Sequence, residues 1–381
     1  MRGSYKKNPD GTWSFRVNIG INPKTGKRIQ KYKSGFRTKK DAQNEATRIL
    51  LEVNDGTFFE ESPEQFNVYI SRWFNTSYKR SVEESTATSR WYLIDKHLIP
   101  AFYHRKLNEI SPFEIDSFYA DKIDNGYSPA YIRQMHNVLN QSFQQAVKWR
   151  LIKNNPVQDT SPPKVRNKEK QVWNVDQVNH FIKVIDNHHT KIPYVLAIYT
   201  GMRRGEILGL KWSDVDLDKG KINIKRSLCF ISKKGLTFKE PKTSKSKRQI
   251  SISKQLIKML MNHKEYREGL QVKFGIAYVD NDMVVSTDDG KPMDPRNLLR
   301  QFYLHMEKAK LPKLSFHDLR HTHATILMQI GENPKVVSER LGHSRVGITL
   351  DLYSHVSDDL QERAAEKFEE TLFKKRNSPP L

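Results

Sequence analysis

The segment SFHDLRHTHA, residues 315–324, combines histidine and arginine side chains that could bind a phosphate group. Its serine, followed three residues later by an aspartate, forms a capping-box pattern, which predicts that a helix begins there. His317 and Arg320 then lie one turn apart on the same face, in a first turn where exposed N–H groups and the helix dipole attract anions. The alternative is a metal site, because His317 and His321 have the i, i+4 spacing of zinc proteases. The glutamate of the HExxH motif is absent and no third ligand is evident, so phosphate is favoured.

A second arginine-containing segment, TGMRRGEILGLKW, covers residues 200–212. Glycines on both sides of the arginine pair let the backbone turn and approach a ligand closely. An equally good interpretation is an ordinary helix start with a salt bridge between Arg203 and Glu206. The segment alone does not decide between these two interpretations.

A histidine and a tyrosine near the C-terminus are further candidates. An asparagine cap, a proline at the first helical position and a stop glycine predict a short helix that ends at Gly342. His343 therefore lies on a rigidly placed loop. Ten residues later comes Tyr353, the only tyrosine after Tyr303, on a predicted short helix. A tyrosine hydroxyl can act as a nucleophile, and the alternative is a packed ring whose hydroxyl is hydrogen-bonded.

Composition limits the classes of protein that could contain these residues. The 381 residues include 65 Lys and Arg against 43 Asp and Glu, which gives a net charge of +22 and a pI near 9.7. A polyanion is the expected partner, and nucleic acid is favoured over membrane because no basic amphipathic helix or lipidation signal is evident. The mean hydropathy of −0.72 predicts no transmembrane helix, and no apolar signal segment is present at the N-terminus. The single cysteine, Cys229, excludes a disulfide framework and fits a reducing cytoplasm.

The N-terminal 48 residues carry thirteen basic side chains against three acidic ones. Alternation over 13–19, a turn at 23–26 and a second alternating stretch over 27–36 predict two strands. Thr38 can then cap a helix over about 39–53. This small sheet backed by one helix is expected to bind DNA, although a solvated basic surface is the alternative. The candidate DNA contacts are Arg16, Lys27, Arg28, Lys31, Lys33, Arg37, Lys39 and Lys40.

Two linkers, 54–64 and 154–170, predict three domains with boundaries 1–60, 65–155 and 170–381. The middle domain should be all-helical, and it could fill a groove or merely separate its neighbours. Its predicted helices cover 66–78, 86–100, 111–125 and 128–151. The last domain should be mainly helical with a small antiparallel sheet from 221–230, 236–238 and 248–253. The fold class is therefore multidomain α+β.

Together, TGMRRGE, HDLRH, LGH and the downstream tyrosine resemble the tyrosine recombinase, or lambda-type integrase, family in their order and spacing. The segment LGHSRVGITLDLYSHV resembles the family's last motif closely. The resemblance is strong over about 170–381 and weaker over the helical segment and the N-terminal arm. It implies an arm-type DNA-binding domain, an all-α core-binding domain and a catalytic domain.

The resemblance also implies a set of site residues. Tyr353 would be the nucleophile, and Lys242 would lie in a β-hairpin as the general acid. The active site would contain Arg203, Lys242, His317, Arg320, His343 and Tyr353, with Glu206 supporting the pocket. Lys245, Lys247 and Arg248 would contact DNA phosphates near the hairpin.

The chemistry implied by this resemblance is phosphodiester cleavage through a 3′-phosphotyrosyl link. Two arginines would neutralise the phosphate, His343 would add a donor, and His317 would either transfer a proton or support the structure. Because cationic side chains supply the charge and the link preserves a phosphodiester, no metal, cofactor or ATP is expected.

The implied function is site-specific integration and excision of a mobile element, such as a phage or transposon, by a cytoplasmic, nucleoid-associated enzyme. The partners would be double-stranded DNA with core-type and arm-type sites, three further copies in a tetramer, an excision factor and a host DNA-bending protein. An amphipathic helix over 357–373 would dock on a neighbour or on its own domain. The alternatives are a type IB topoisomerase-like enzyme and a DNA-binding regulator with an unused pocket.

Overall fold

The structure, a computed structural model, describes residues 3–21, 26–55, 58, 63–166, 171–186, 190–231, 234–240 and 247–351, together with 365, 366, 368, 369 and 372. It divides into two compact units, residues 1–166 and 167–381, whose boundary falls inside the second predicted linker. No helix in these described ranges is both long and apolar enough to cross a membrane. The predicted helix over 357–373 lies almost wholly outside them.

The first unit begins with a three-stranded antiparallel sheet covered by one helix. Strands β1 (Ser4–Lys7), β2 (Trp13–Ile21) and β3 (Arg28–Phe36) pair in that order, and helix α1 (Lys39–Asn54) packs on the sheet. The Thr38 hydroxyl accepts from the Asp41 amide at 3.1 Å, so the predicted cap is confirmed. Strand β1 was not predicted, because a segment of four residues carries too little alternation to be recognised.

The rest of the first unit is helical and encloses an aromatic-rich core. The predicted second and third helices of the chain, 66–78 and 86–100, are each interrupted by one wide π-turn, at Phe74–Tyr78 and Ile94–Leu98. The remaining two are continuous. The helices are α2 (Phe66–Trp73), α3 (Lys79–Ser81), α4 (Glu84–Leu93), α5 (Ile99–Phe102), α6 (Pro112–Asp124) and α7 (Pro129–Lys148).

The second unit surrounds helix α9, which is buried along nearly its whole length. Its helices are α8 (Val175–Ile185), α9 (Ile192–Thr200), α10 (Arg204–Leu208), α11 (Lys254–Phe274), α12 (Pro295–Lys308), α13 (Asp318–Gln329), α14 (Pro334–Leu341) and α15 (Gly347–Asp351). Its strands are β4 (Val215–Asp216), β5 (Lys221–Ile224), β6 (Ser227–Ile231), β7 (Gly235–Lys239) and β8 (Arg248–Ser251).

Two small antiparallel sheets replace the single set that the sequence predicted. One has the order β4-β5-β8, and the other is the hairpin of β6 and β7. The predicted strand 221–230 is divided between the two sheets at Lys225 and Arg226, which both pair with the buried carboxylate of Asp214, Lys225 at 3.1 Å. The multidomain α+β class, with a small sheet, a helical segment and a mainly helical last part, is confirmed.

Candidate active site

Arg320 lies at the centre of the site and is almost completely buried, with 2% of its surface exposed. Its Nη1 donates to the carbonyl of Gly201 at 2.8 Å, and its Nη2 donates to the carbonyl of Leu341 at 2.7 Å. These carbonyls end helices α9 and α14, where the negative end of each helix dipole favours a cation. Burial, reinforced by the charge of Arg203, lowers the pKa of Arg320 to about 9, so the guanidinium stays protonated at neutral pH.

Arg203 lies beside Arg320 and is held in a similar way. Its Nη2 donates to the carbonyl of Gly342 at 3.1 Å, and its Nη1 donates to Glu206 at 2.9 Å. Its backbone N–H donates to the other Glu206 oxygen at 2.9 Å, which fixes the first turn of α10. The predicted salt bridge therefore forms, and the side chain of Arg203 is still 38% exposed. Close approach of a ligand to this segment stays a prediction.

The buried carboxylate of Glu206 has a second arginine partner, Arg248. Arg248 donates from Nη1 and Nη2 to the two carboxylate oxygens, at 3.1 and 2.8 Å, and from Nε to the carbonyl of Arg340 at 2.7 Å. Burial would raise the pKa of Glu206, but the hydrogen bonds and charges of Arg248 and Arg203 outweigh it, and the pKa is lowered. Glu206 is therefore a carboxylate at neutral pH.

The position of Arg248 differs from the predicted DNA contact, because its side chain is buried instead of facing solvent. Its contact with Glu206 was not predicted from the sequence. A signal was present: in β8, Arg248 and Ile250 alternate with exposed residues, which places the arginine on the inward face.

His343 follows α14 directly, as predicted, and its Nδ1 lies 2.8 Å from the hydroxyl oxygen of Thr349. Burial and the nearby charges of Arg320 and Arg203 lower the pKa of His343 to about 3. The imidazole is therefore neutral at physiological pH. Thr349 is fully buried on α15, and sequence analysis did not identify it.

His317 is exposed and lies one residue before the start of α13. The helix begins at Asp318, slightly later than predicted, and its N-cap residue, His317, makes no side-chain cap hydrogen bond. The Asp318 carboxylate accepts from the backbone N–H of Ser315 at 2.7 Å. The rings of His317 and His321 meet edge to face with centroids 4.9 Å apart. No group of three or more metal-binding side chains occurs among the residues that the structure describes.

The structure thus brings Arg203, Glu206, Arg320 and His343 together, with His317 near enough to influence the pKa of His343. Lys242, Lys245 and Tyr353 lie outside the described residues. Lys247 is exposed and pairs with Glu240 at 3.1 Å. The described part of α15 reaches Asp351.

The candidate DNA contacts of the N-terminal sheet and its helix differ in their contacts and in their exposure. Arg16 lies on the face away from α1, with its guanidinium 5.9 Å from the ring of its cross-strand partner Tyr32. Lys33 pairs instead with Glu45 of α1 at 2.7 Å. Lys31 is half-buried, and the others are exposed: Lys27, Arg28, Arg37, Lys39 and Lys40.

Three family models match this chain. The phage integrase family model matches residues 171–359, an arm DNA-binding domain model matches 4–53, and a phage integrase N-terminal SAM-like domain model matches 65–123. Together the three matches span most of the chain.

Similar proteins match over nearly the whole length. The ICEBs1 integrase of Bacillus subtilis is 27% identical over 97% of this chain and 100% of its own. A XerC-like tyrosine recombinase of Caldanaerobacter subterraneus is 29% identical over 95% of this chain and 97% of its own.

Solved structures of integrases share this fold. The Tn1549 transposon integrase in complex with a circular intermediate DNA has a TM-score of 0.69 and 19% identity, over 80% of this chain and 99% of that one. A lambda integrase tetramer bound to a Holliday junction has a TM-score of 0.57 and 18% identity, over 91% and 94%. The chain belongs to the phage integrase family, the tyrosine recombinases.

Proposed function

We propose that this chain is a site-specific DNA recombinase, which cleaves and rejoins DNA through a 3′-phosphotyrosyl intermediate to integrate and excise a mobile element. The observation that carries the proposal is the pair of guanidinium groups, Arg203 and Arg320, fixed beside His343 by the carbonyl ends of two helices.

The charge balance of this cluster favours a phosphate ligand. Three arginines, Arg203, Arg248 and Arg320, surround one carboxylate, Glu206. Carbonyl groups orient Arg320 without cancelling its charge, and burying an unbalanced cation is unfavourable. A phosphodiester anion would offset this excess of positive charge. Within the described residues, Arg320 uses two of its five N–H groups on carbonyls, and three remain for phosphate oxygens.

The proposed reaction begins when the Tyr353 oxygen attacks phosphorus and the bond to the 5′-oxygen breaks. The phenol proton leaves with the help of His317, and Lys242 protonates the departing 5′-oxygen. Arg203, Arg320 and the N–H of His343 stabilise the charge that develops on the non-bridging oxygens. Because the phosphotyrosyl product is still a phosphodiester, a 5′-hydroxyl can reverse the step without ATP, and the side-chain cations supply the charge that a metal would otherwise provide.

We propose that the helical segment and the catalytic domain bind core-type DNA sites and that the N-terminal sheet binds arm-type sites. Strand exchange would occur in a tetramer, the form in which lambda integrase binds a Holliday junction. An excision factor and a host DNA-bending protein would set the direction, and the enzyme would act at the nucleoid. The basic N-terminal sheet and its helix have a hydrophobic core of their own, which favours joining of two DNA partners over the single-site action of a topoisomerase.

The test is incubation with a nicked core-site suicide duplex, followed by denaturing electrophoresis and mapping of the modified peptide. The wild-type chain should form a covalent adduct at Tyr353. Tyr353→Phe should bind DNA normally and form none, whereas the control Tyr303→Phe, which changes an exposed tyrosine of α12, should behave as wild type.

The alternatives predict different results. An adduct in Tyr353→Phe would place the nucleophile elsewhere, and DNA binding without any wild-type adduct would indicate a regulator. Adduct formation without joining of two separate duplexes would indicate a topoisomerase-like enzyme.

A further inference from the structure

We propose that Thr349 is a positioning residue for His343. Its hydroxyl donates a hydrogen bond to Nδ1, so that the proton of the neutral imidazole lies on Nε2 and can be donated to the scissile phosphate. This inference rests on the proposed function, because it assigns a purpose to the hydrogen-bond donor of that same site.

The geometry restricts Thr349 to this contact. Its hydroxyl oxygen lies 2.8 Å from His343 Nδ1, and the residue is fully buried. Its backbone N–H donates to the carbonyl of Val346 at 2.8 Å, which fixes the start of α15 relative to the loop after His343. Within the described residues, His343 is the one hydrogen-bond partner of this hydroxyl. A buried hydroxyl whose hydrogen bond is removed leaves an unsatisfied polar group, so the contact is costly to lose.

The protonation state of His343 makes the hydroxyl important. A neutral imidazole has one nitrogen that donates and one that accepts. If Nδ1 carried the proton, the lone pair of Nε2 would face the phosphate oxygens and repel them. If the threonine hydroxyl donates to Nδ1, the Nε2–H group faces the phosphate and stabilises its charge.

A hydroxyl suits this position better than a carboxylate. A carboxylate can only accept from Nδ1–H, and it would raise the pKa of the histidine. The hydroxyl can donate a hydrogen bond to Nδ1, and it adds no negative charge beside Arg203 and Arg320. The positive potential of the pocket is therefore preserved for the phosphate.

The place of Thr349 in the chain adds a functional link. It lies on α15, four residues before Tyr353 in the sequence. The same short segment therefore provides both the hydroxyl that fixes the His343 tautomer and the tyrosine that attacks.

The test compares Thr349→Val, which keeps the branched shape and removes the hydroxyl, with Thr349→Ser, which keeps the hydroxyl. Single-turnover adduct formation on the suicide duplex should fall about tenfold or more in Thr349→Val, the lower end for losing a group that orients a functional histidine. Thr349→Ser should stay within about threefold, and DNA affinity should be unchanged in both. The control Thr325→Val removes the hydroxyl of a buried threonine on α13 and should retain wild-type rates.

A double-mutant cycle separates positioning from general structural support. In a His343→Ala background, Thr349→Val should cause no further loss, because the group that it positions is already gone. Nitrogen-15 NMR of histidine-labelled protein should show the proton of His343 on Nε2 in the wild-type chain bound to a nicked duplex.

Three results would overturn the inference. The first is a wild-type rate in Thr349→Val, and the second is an equal loss of rate when Thr349→Val is added to His343→Ala. The third is a wild-type His343 with its proton on Nδ1, a measurement that tests the inference even if Thr349→Val does not fold. Failure of the wild-type chain to form any adduct would instead refute the proposed function.

Discussion

Replacing Arg248 by methionine should destabilise the second unit, residues 167–381, because the buried carboxylate of Glu206 then has one arginine partner in place of two. Removing one member of a buried ion pair typically costs about 3–5 kcal/mol. Arg203 remains and is partly exposed, so the lower end applies, about 3 kcal/mol. For a unit of roughly 200 residues, each kcal/mol lowers Tm by about 2–4 °C, so we expect a fall of about 6–12 °C.

The effect should depend on pH with a definite sign. In the wild-type chain the lowered pKa of Glu206 contributes stability above the unfolded pKa of about 4.3, and this stability is lost as pH falls. Without Arg248, we expect burial to outweigh the remaining contacts of Arg203 and to raise the folded pKa of Glu206 above the unfolded value. The variant then gains stability at low pH and loses it as pH rises, so the Tm difference from wild type should narrow between pH 7.5 and 5.5.

Differential scanning calorimetry at the two pH values tests this reasoning. The matched control is Lys291→Met, which removes an exposed ion pair with Asp289 from the same unit and should leave Tm near the wild-type value at both pH values. A Tm of Arg248→Met equal to wild type, or a difference independent of pH, would show that Arg248 does not hold the Glu206 charge.

Three further predictions concern the general acid, the arm and the backbone at α9. Lys242→Ala should slow adduct formation on normal DNA by about 100-fold or more, and a duplex with a better 5′ leaving group should restore the rate. Deleting residues 1–60 should spare cleavage of a core-site duplex and impair joining of separate DNA partners in a strand-transfer assay. Gly201→Ala should lower Tm, because the added Cβ would lie 2.4 Å from Leu341 Cδ2 and 2.7 Å from His323 Cδ2, at a φ of +65° that disfavours alanine.

Lys247→Ala, at an exposed position in the same connection between β7 and β8 as Lys242, should need no special leaving group. Failure of rescue in Lys242→Ala would assign the general acid to another residue. Unchanged joining after removal of 1–60 would argue against a second DNA site. The control Gly331→Ala also changes a glycine of positive φ, +88°, but its new Cβ would have nothing within 4 Å. An equal fall in Tm in both variants would show that the contacts with Leu341 and His323 do not contribute.

Local features were predictable from the sequence because their causes lie within a few residues. The Thr38 cap, the long helix α7 and the glycine stop before His343 depend on nearby side chains and on backbone propensity, and all three occur in the structure. The two π-turns were not predictable, because the apolar spacing on either side of Phe74 and Ile94 is still compatible with a continuous helix.

Contacts between distant segments could not be predicted in the same way. Glu206 and Arg248 are 42 residues apart in sequence and belong to different elements, and the basic run around Arg248 favoured a DNA contact. Thr349 carries no charge and has no motif of its own. Its hydrogen bond with His343 depends on the fold of the loop after α14, which the sequence does not predict.

The way in which the arginines are held explains why this site can attract DNA and still keep its geometry. Helices α9 and α14 both end at a glycine with positive φ, Gly201 and Gly342, and carbonyls at these two ends receive the guanidinium groups. Neutral carbonyls orient a cation without neutralising it, whereas a carboxylate at either place would compete with the phosphate for the same N–H groups. Among the described residues, Glu206 is the one carboxylate paired with these arginines, and Arg248 matches its charge, so the charge of Arg203 remains available. Rigidity and positive potential therefore come from different groups.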